Sequence, residues 1–572
     1  MTADIRVWAP DATSVDLVSG NHRTAMTPED GGWFGCAASA VGPDGRYMVS
    51  VDGGEPRPDP RSAHQPDGVH GASALVDHGG YAWGDSSWRG LPLEEAVIYE
   101  LHVGTFSLAG TFDAVVERLP YLLDLGINAI ELMPVATFAG TRGWGYDGVD
   151  LYAPHPAYGG PDGLKRLVDA CHQAGIAVVL DVVYNHLGPD GNYLGDFGPY
   201  FTDVYKTPWG AALNFDDRGS DEVRRFFVDN ALMWLRDYHF DGLRLDAIQA
   251  IIDTSATHFL EQVAAQVAHL RSQVQRPLWV IAESDLNDPR LVTPREQGGY
   301  GLDAQWNDDF HHALHAVITG ERRGYYSDFG SLDALATALR QAFVYDGRFS
   351  TYRGRSFGRR PAGLPGRSFL GYIQDHDQVG NRAQGERISQ LVSPGLCKVA
   401  AALVLTSPFT PMLFAGEEWG ATTPFQYFTD HRDPELARAV RQGRRREFAG
   451  FAWADEVPDP QAMATFERSR LDWAEVDEPA HADVRRWYRD LLRLRRAEPG
   501  LRDGRLEDVE VEHADGRLRV RRGDLVVCCN LSGEVQEFPL SGELVLASSP
   551  DVVAEGAALR VPPESVAVVR LP

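Results

Sequence analysis

Four short apolar segments of the chain end in residues that could carry out acid–base or nucleophilic chemistry. The four ends read Asp181-Val182-Val183-Tyr184-Asn185-His186, Gly242-Leu243-Arg244-Leu245-Asp246, Ala282-Glu283-Ser284-Asp285 and Gln374-Asp375-His376-Asp377. Carboxylates that leave water and repel one another are costly, so their repetition at four ends is hard to explain by solubility. Taken singly, each acid could equally be a buried ion pair or a strand-end cap.

A pair of carboxyl groups beside a neutral histidine and an arginine fits glycoside hydrolysis, in which one carboxylate attacks and the other carries the proton. Arg244 and Asp246 lie two residues apart and share a strand face, so the guanidinium can hold the carboxylate ionised as the nucleophile. Glu283 follows an uninterrupted apolar stretch that would raise its pKa and keep it protonated as the general acid. His376 and Asp377 are expected to hold the sugar hydroxyls and the distorted ring.

The segments that must position these residues alternate in type along the middle of the chain. Apolar runs alternate with helical patterns, which is typical of repeated βα units. The eight runs are Ala96–Phe106, Gly126–Val135, Ile176–His186, Gly242–Ile248, Leu278–Asp285, Gly301–Asn307, Phe369–Asp377 and Pro411–Trp419. Eight units over about 400 residues predict an α/β fold, the (β/α)8 TIM barrel, whose catalytic groups lie at the carboxyl ends of its strands.

The spacing within this region predicts particular helices and insertions. Helical patterns cover Gly163–Ala174 and Glu222–Tyr238. The gap between His186 and Gly242 is longer than one crossover helix requires, so we expect a loop excursion there. The segment between Glu283 and the seventh run has room for insertions at the mouth of the barrel.

Both ends of the chain read as short strands separated by turn residues. Ile5–Ala9 and Ser14–Val18 near the start, and Leu525–Cys529 and Val566–Leu571 near the end, are strand-like segments. The sequence therefore predicts three domains. They are an N-terminal Ig-like β-sandwich resembling a carbohydrate-binding module (residues 1–92), the catalytic barrel with loop insertions (93–498) and a C-terminal β-sandwich (499–572).

Charge and cysteine content limit the expected binding partners and the expected cellular location. The chain has 81 Asp and Glu against 54 Lys and Arg, a formal charge of −27. A protein this acidic repels phosphate backbones and anionic lipids, so nucleic acid and membrane are not expected partners. The five cysteines form no C-x-x-C pair, and the chain has neither a signal-peptide pattern nor a run of about 18 apolar residues, so we expect a cytoplasmic location.

The four strand ends resemble, in order, the four sequence regions of the α-amylase superfamily, glycoside hydrolase family 13. The resemblance implies a retaining double displacement on an α-glucoside, with Asp246 as nucleophile, Glu283 as acid/base and Asp377 as transition-state stabiliser. Trp144-Gly145-Tyr146-Asp147 resembles the superfamily segment in which Tyr146 stacks under the sugar at the cleaved position. The residues implied to bind around that sugar are Asp181, His186, Arg244 and His376.

Longer stretches are similar to the branch of this superfamily that cleaves the α-1,4 bond next to the terminal trehalose of maltooligosyl-trehalose. They are Gly371–Arg382, Gly385–Arg387, Leu302–His312, Phe414–Gly420 and Pro424–Phe428. The resemblance implies release of trehalose and a maltooligosaccharide, no cofactor, and functional coupling to an enzyme that forms maltooligosyl-trehalose.

A bent, uncharged disaccharide leaving group requires a pocket with aromatic faces and many hydrogen-bonding groups. The candidates are Trp306, Asn307, Asp308, Phe310, Glu386 and Arg387. Trp306 and Phe310 could instead pack the loop.

We expect no functional metal. His311-His312 lacks a third ligand at a fitting interval, so a packing or hydrogen-bonding role is expected. The polar residues after the third run are expected to face solvent, namely Asp190, Asn192, Asp196 and Asp203.

Two other functions compete with this interpretation. One is a glycogen-branching or debranching α-glucan enzyme of the same superfamily. The other is a non-catalytic glucan-binding protein that uses the N-terminal sandwich. The presence of Asp246, Glu283 and Asp377 together argues against the second, because a binding protein gains nothing from a nucleophile and an acid.

Overall fold

The segment before the barrel folds into two antiparallel sheets. The structure is a computed structural model that describes residues 4–449 and 457–572; residues 1–3 of the first predicted domain and 450–456 of the second lie outside the described residues. The strands of this segment are β1 (Ile5–Trp8), β2 (Val15–Ser19), β3 (His22–Ala25), β4 (Thr27–Glu29), β5 (Trp33–Cys36), β6 (Arg46–Val51) and β7 (Ser73–Ala74). One sheet has the order β1-β5-β4 and the other β3-β2-β6-β7. Val7, Leu17 and Val49 are buried in its core.

A closed barrel of parallel strands occupies the middle of the chain. The strands of this region are β8 (Ile98–Leu101), β9 (Ala129–Leu132), β10 (Ala136–Phe138), β11 (Gly148–Pro154), β12 (Ala177–Val182), β13 (Phe201–Thr207), β14 (Gly210–Leu213), β15 (Gly242–Leu245), β16 (Trp279–Ala282), β17 (Ala304–Trp306), β18 (Asp346–Ser350), β19 (Arg355–Gly358), β20 (Phe369–Gly371) and β21 (Thr410–Phe414). The barrel order is β8-β9-β12-β15-β16-β17-β20-β21, and β21 pairs with β8. Each predicted apolar run contains one of these eight strands, because strands buried on both faces are apolar throughout.

Helices surround the barrel strands. They are α1 (Val103–Phe106), α2 (Phe112–Val116), α3 (Leu119–Leu125), α4 (Gly160–Gln173), α5 (Ser220–Asp237), α6 (Phe259–Val274), α7 (Asp308–Thr319), α8 (Leu332–Gln341), α9 (His376–Gly380), α10 (Ile388–Leu391), α11 (Pro394–Leu405), α12 (Pro434–Ala449), α13 (Met463–Arg468), α14 (Pro479–Ala497) and α15 (Pro499–Arg502). α4 and α5 confirm the two predicted helices. α11 begins where the Ser393 side chain accepts a hydrogen bond from the Leu396 N–H, with Pro394 in the first position.

Two hairpins extend from the carboxyl rim of the barrel. β13 and β14 pair within the gap between His186 and Gly242, and β18 and β19 pair between β17 and β20. Both confirm the predicted excursions. Because loops that follow barrel strands lie at the carboxyl end, both hairpins belong to the same face as the four strand ends.

The inside of the barrel changes from apolar to polar toward this face. Residues i and i+2 of a strand point to the same face, so each apolar residue inside the barrel is followed, two positions later, by another interior residue nearer the carboxyl rim. The apolar layer includes Ile98, Ala129, Val179, Ile281 and Leu370. The layer above it contains Glu100, Glu131, Asp181, Glu283 and Tyr372.

The C-terminal segment forms two further antiparallel sheets. Its strands are β22 (Val509–Ala514), β23 (Arg517–Arg522), β24 (Leu525–Asn530), β25 (Gln536–Pro539), β26 (Glu543–Ala547), β27 (Val553–Glu555), β28 (Ala558–Val561) and β29 (Ser565–Arg570). The sheet orders are β22-β23-β24-β29-β26 and β25-β28-β27. A (β/α)8 barrel flanked by two β domains confirms the predicted fold class, whereas the boundaries at 92/93 and 498/499 stay predictions.

None of the helices in residues 4–449 and 457–572 is both long and apolar enough to cross a bilayer. All five cysteines have free thiols.

Candidate active site

Arg244 on β15 connects three carboxyl groups at the rim of the barrel. Its side chain is fully buried, and Nη1 donates to Asp181 at 2.9 and 2.8 Å and to Asp246 Oδ1 at 2.8 Å. Nη2 lies 3.7 Å from Glu283 Oε2. The three acids come from the ends of β12, β15 and β16, so the strand ends that the sequence singles out do converge.

Asp246 is held at both carboxylate oxygens. Oδ1 accepts from Arg244, and Oδ2 accepts from the Asn185 side-chain amide at 2.7 Å. The next residue, Ala247, has a positive φ of 40°, which is uncommon for a residue with a Cβ and is typical of functional sites. This turn aims the Ala247 N–H at the carboxyl group of Glu283. The backbone and Arg244 therefore fix the two acids relative to one another.

Glu283 lies in surroundings that favour its protonated form. Burial raises the pKa of Glu283 well above its usual range; the attraction of Arg244 opposes this, and the negative charge of Asp246 adds to the increase. Burial likewise raises the pKa of its neighbour Asp308 to about 6, although the Tyr372 hydroxyl donates to that carboxylate at 2.7 Å. A proton on Glu283 beside a fixed carboxylate is the arrangement that acid-assisted nucleophilic displacement needs.

Tyr146 and His376 form one wall of the site. Their rings stack at 5.2 Å with an interplanar angle of 22°. The Tyr146 hydroxyl donates to Asp181 Oδ2 at 2.6 Å and lies 2.8 Å from His376 Nε2. On the other side of Tyr146, the backbone carbonyl is 2.9 Å from His186 Nε2. The four residues predicted around the cleaved sugar, Asp181, His186, Arg244 and His376, thus lie within one connected network with Tyr146.

The two histidines differ in charge. Burial lowers the pKa of His186, which keeps that ring neutral as expected. Burial would also lower the pKa of His376, but the carboxylates of Glu100 and Asp377 and the hydrogen bond that His376 donates to Glu100 raise it to about 10. The expectation of a neutral histidine named no position; the pKa shifts favour the neutral form for His186 and the charged form for His376. Glu100, on the first strand, is the residue that the sequence reasoning missed.

Asp377 is the most open acid of the group. Its side chain is 43% exposed, against 11% for Asp246 and 15% for Glu283. Oδ1 lies 3.6 Å from His376 Nε2 and accepts from the Asn381 amide at 3.2 Å. An acid that faces the cleft in this way is accessible to a bound sugar.

Three of the predicted trehalose-binding residues are part of the protein interior. Phe310 is fully buried and packs against Phe409 at 5.0 Å. Asn307 is buried because its side chain caps α7 by accepting from the Phe310 N–H at 3.2 Å. Arg387 is 1% exposed, and its Nη1 donates to the carbonyl of Ala415 at 2.8 Å. We correct the prediction for these three, since none presents a surface to a sugar.

The other three predicted residues of this pocket lie closer to the site. Trp306 is 2% exposed, and the Arg244 guanidinium lies 4.3 Å above its ring. The ring therefore packs against Arg244 and leaves no exposed face on which a sugar could stack. Asp308 is near Glu283, and its negative charge adds to the increase in the pKa of Glu283. Glu386 is one-third exposed and lies 3.6 Å from Arg382. Asp308 and Glu386 remain predictions.

The two hairpins contribute aromatic residues that the sequence reasoning did not select. Trp209, at the tip between β13 and β14, is 51% exposed and stacks on His186 at 4.6 Å and 10°. Tyr352, between β18 and β19, is 49% exposed, and the next residue, Arg353, donates to Asp285 Oδ2 at 2.8 Å. The only sequence signal for them is an aromatic residue within each long insertion.

The candidate metal ligands have other partners. Among the residues that the structure describes, no group of three or more His, Cys, Asp or Glu is placed to hold a metal ion. His311 is buried, with Nδ1 2.7 Å from the Ile373 carbonyl and Nε2 3.0 Å from the Tyr326 hydroxyl, as a hydrogen-bonding role predicts.

The acidic residues after the third run only partly match the prediction. Asp196 and Asp203 are exposed as expected, and Asn192 is half-buried. Asp190 is only 13% exposed because it contacts His70 at 3.0 Å, so the expectation that it faces solvent is wrong.

The closed barrel and its rim of arginine-held acids define a glycosidase of the α-amylase type. In agreement, residues 76–205 match the family model described as "Alpha amylase, catalytic domain", and residues 504–568 match a "Domain of unknown function (DUF3459)".

Full-length relatives give the family. The chain is 51% identical over 571 residues, 99% of each chain, to a protein of Arthrobacter ramosus named "Malto-oligosyltrehalose trehalohydrolase". It is 50% identical to a protein of that name from Mycobacterium tuberculosis, over 96% of each chain, and 46% identical to one from Saccharolobus solfataricus, over 95% of this chain and 93% of the relative. The chain belongs to the malto-oligosyltrehalose trehalohydrolase family.

Solved structures agree with this fold. A crystal structure from Salmonella typhimurium, described as an alpha amylase, has a TM-score of 0.92 at 40% identity and covers 100% of this chain and 97% of the other. A pullulanase from Paenibacillus barengoltzii has a TM-score of 0.73 at 20% identity, and this similarity supports the fold only.

Proposed function

We propose that the protein hydrolyses the α-1,4-glucosidic bond next to the terminal trehalose unit of maltooligosyl-trehalose and releases trehalose and a maltooligosaccharide. Similarity over essentially the whole chain to several trehalohydrolases supports this substrate. The observation that carries the chemistry is the single guanidinium of Arg244 in contact with Asp246 and within 4 Å of Glu283.

In the first step, Asp246 is the nucleophile. Its carboxylate, held in place by Arg244 and Asn185, attacks the anomeric carbon and forms a glycosyl ester. Glu283 gives its proton to the glycosidic oxygen, so trehalose leaves as a neutral alcohol. The raised pKa of Glu283 supports this role, because the proton must still be present when the substrate binds.

In the second step, Glu283 is an ionised general base. It takes a proton from a water molecule, the hydroxyl oxygen bonds to the anomeric carbon, and the ester to Asp246 breaks. Asp246 returns as a carboxylate and Glu283 is again protonated. Two displacements at one carbon retain the α configuration.

Asp377 and Tyr146 act on the sugar ring in both steps. The half-exposed carboxylate of Asp377 stabilises the positive charge that develops on the ring, and the Tyr146 ring stacks beneath it. His186, Arg244, Asp181 and His376 hold this subsite. The exposed aromatic rings of Trp209 and Tyr352, with Asp308 and Glu386, extend the binding surface along the cleft.

We also propose that the protein works in the cytoplasm beside an enzyme that forms maltooligosyl-trehalose. Five free thiols suit a reducing compartment. The substrate has a non-reducing end group that a preceding enzyme must build from a maltooligosaccharide. Deletion of such an enzyme should remove the trehalose made through this protein in the cell.

Product analysis on maltotriosyl-trehalose tests the proposed function. We expect trehalose and maltotriose in equal amounts, with the new hemiacetal first appearing as the α anomer. Absence of trehalose, together with branched or debranched products from a glucan, would support the alternative enzyme. That alternative is represented by a Bacillus caldolyticus protein named as a branching enzyme, which is 32% identical over 53% of this chain.

A further inference from the structure

We propose that Glu100 is a positioning residue that holds His376 as an imidazolium, so that a fixed positive charge lies beside Tyr146 and Asp377. The inference builds on the proposed hydrolysis, since it concerns the subsite of the cleaved sugar. Glu100 does not touch that sugar; it acts through the histidine.

Glu100 contacts His376 twice from inside the barrel. It is the third residue of β8 and is 1% exposed. Its Oε2 accepts from the His376 backbone N–H at 3.0 Å, and its Oε1 faces ring Nδ1 in a short hydrogen bond. Because both oxygens meet N–H donors of one residue, the carboxylate fixes both the position and the ring plane of His376.

The hydrogen-bond directions place a proton on Nε2. The Tyr146 hydroxyl has one proton, and Asp181, paired with Arg244, accepts it at 2.6 Å. The Tyr146 oxygen must then accept from its other close neighbour, His376 Nε2, at 2.8 Å. Nε2 is therefore a donor.

A second proton lies between Nδ1 and Glu100. Glu100 and Asp377 lie beside the ring, and negative charge on these carboxyl groups favours the protonated imidazole. This proton therefore resides on Nδ1, and the ring carries both protons and a positive charge. The upward shift of the His376 pKa agrees with this assignment.

The other titratable groups around His376 leave this charge in place. Besides Tyr146, they are Glu100, Glu131, Asp181, Asp375, Asp377 and His102. Burial lowers the pKa of His102 to about 4, so that ring is neutral. Glu131 is paired in register with Glu100 on the next strand, and burial raises the pKa of Glu131 well above its usual range, which favours its uncharged form. Glu100 is thus the carboxylate in hydrogen-bond contact with Nδ1.

The charged ring acts on the two residues that touch the sugar. It donates to the Tyr146 oxygen, and at 3.6 Å it attracts the carboxylate of Asp377. Without the charge on His376, this attraction on the Asp377 carboxylate would be lost, although the developing positive charge of the transition state needs that carboxylate in place.

Neutron diffraction of the wild-type protein tests the charge directly. At neutral pD we expect deuterium on both Nδ1 and Nε2 of His376 and none on Glu100. Deuterium on only one ring nitrogen, or on a Glu100 oxygen, would overturn the inference. This readout requires neither a variant nor turnover.

A matched pair of variants tests the consequence for activity. Glu100→Gln keeps the size and hydrogen bonds but removes the charge, so His376 should lose its proton near neutral pH. We expect kcat at pH 7.5 to fall about ten- to hundredfold, as for loss of a charge-assisted hydrogen bond, and to recover at low pH. The alkaline limb of kcat should move down by at least about one pH unit, because a neutral environment returns His376 toward its ordinary pKa.

Glu131→Gln is the control, because burial favours the uncharged form of this carboxyl group in the same layer; the kcat and pH profile of the variant should match those of the wild type. A uniform loss of kcat in Glu100→Gln without a shifted limb, or no loss at all, would contradict the inference. Failure of the proposed function is distinguishable, since the wild type itself would then release no trehalose.

Discussion

Two groups of buried acids occupy the carboxyl rim of the barrel, and only one is built for chemistry. The first, the arginine-held acids, comprises Asp181, Asp246 and Glu283 around Arg244. The second, the tyrosine-bonded pair, is Glu417 and Glu418 in the segment that follows β21. Glu418 accepts from the hydroxyls of Tyr99 and Tyr121 at 3.0 Å each, and Glu417 accepts from Tyr488 at 2.9 Å.

The two groups share burial but differ in charge and access. Burial raises the pKa of Glu417 to about 8 and that of Glu418 to about 7, although the hydrogen bonds donated by the tyrosine hydroxyls oppose this increase. The arginine-held acids combine an ion-paired carboxylate with a carboxyl group whose protonated form burial favours, and they adjoin the exposed Asp377. Position at the end of a strand is therefore not enough to make an acid catalytic. The role of the acid depends on the cation beside it and on its access to the cleft.

Asp246→Asn should produce the largest effect. An amide cannot form the glycosyl ester, so kcat should fall by about 10⁴-fold or more while binding of maltooligosyl-trehalose persists. Steady-state kinetics and calorimetric titration measure the two quantities. Glu417→Gln, the same acid-to-amide change in the tyrosine-bonded pair, should leave kcat within about twofold, since that carboxyl is already neutral. Comparable losses of kcat in both variants would contradict the proposed difference between the arginine-held acids and the tyrosine-bonded pair.

Glu283→Gln should have a substrate-dependent effect. Loss of the general acid should lower kcat on maltooligosyl-trehalose by about 10²–10⁴-fold. An activated aryl maltooligoside, whose leaving group needs little protonation, should lose far less in the first step. Burst kinetics on both substrates check this, and equal losses in the first step would remove Glu283 as the acid.

The pH profile of the wild type follows from the same pKa. Because the pKa of Glu283 is raised, its protonated form persists above the ordinary glutamate range, and kcat/KM should decline only as pH rises through the raised value. Glu283→Gln should lose this alkaline limb on the activated substrate. Persistence of the limb in that variant would assign it to another group.

Trp209→Ala should have a moderate effect on binding alone. The exposed ring stacks on His186 at the mouth of the site, so its loss should raise KM about three- to tenfold, in line with an aromatic contact of about 0.5–1.5 kcal/mol. The melting temperature should remain that of the wild type, because half of the side chain is in solvent. An unchanged KM would exclude Trp209 from the substrate path.

Glu418→Gln should have the smallest effect, and only on stability. The folded-state pKa of about 7 exceeds the unfolded value, so the protonated carboxyl stabilises the fold at low pH, and this contribution disappears as pH rises through 7. A permanently neutral glutamine avoids that loss. The melting temperature of the variant relative to the wild type should therefore increase from pH 5 to pH 8. A constant difference would show that Glu418 does not titrate there.

The sequence predicted the barrel strands and the convergence of their ends because both depend on local patterns. Apolar runs mark buried strands, and parallel strands bring their carboxyl ends to one face. Arg244 and Asp246 could be paired from their spacing alone.

Contacts between distant segments could not be read in the same way. Glu100 stands inside a strand, and its partner His376 is 276 positions away. Arg387 is a charged residue in a glycine-containing segment, which suggests an exposed position. It is buried instead, and its guanidinium donates to the backbone carbonyl of Ala415. Phe310 and Asn307 belong to a helix start whose inward face only the tertiary packing defines.

Identification of the covalent intermediate tests the central claim most directly. A maltooligosyl fluoride with a 5-fluoro substituent on the reacting ring, incubated with the wild type and with Glu283→Gln, should accumulate a glycosyl ester that peptide mass mapping can locate. The account predicts a label on Asp246, absent from Asp246→Asn and from the Glu417–Glu418 peptide. A label on any other carboxyl group, or turnover to the β anomer with no label, would contradict it.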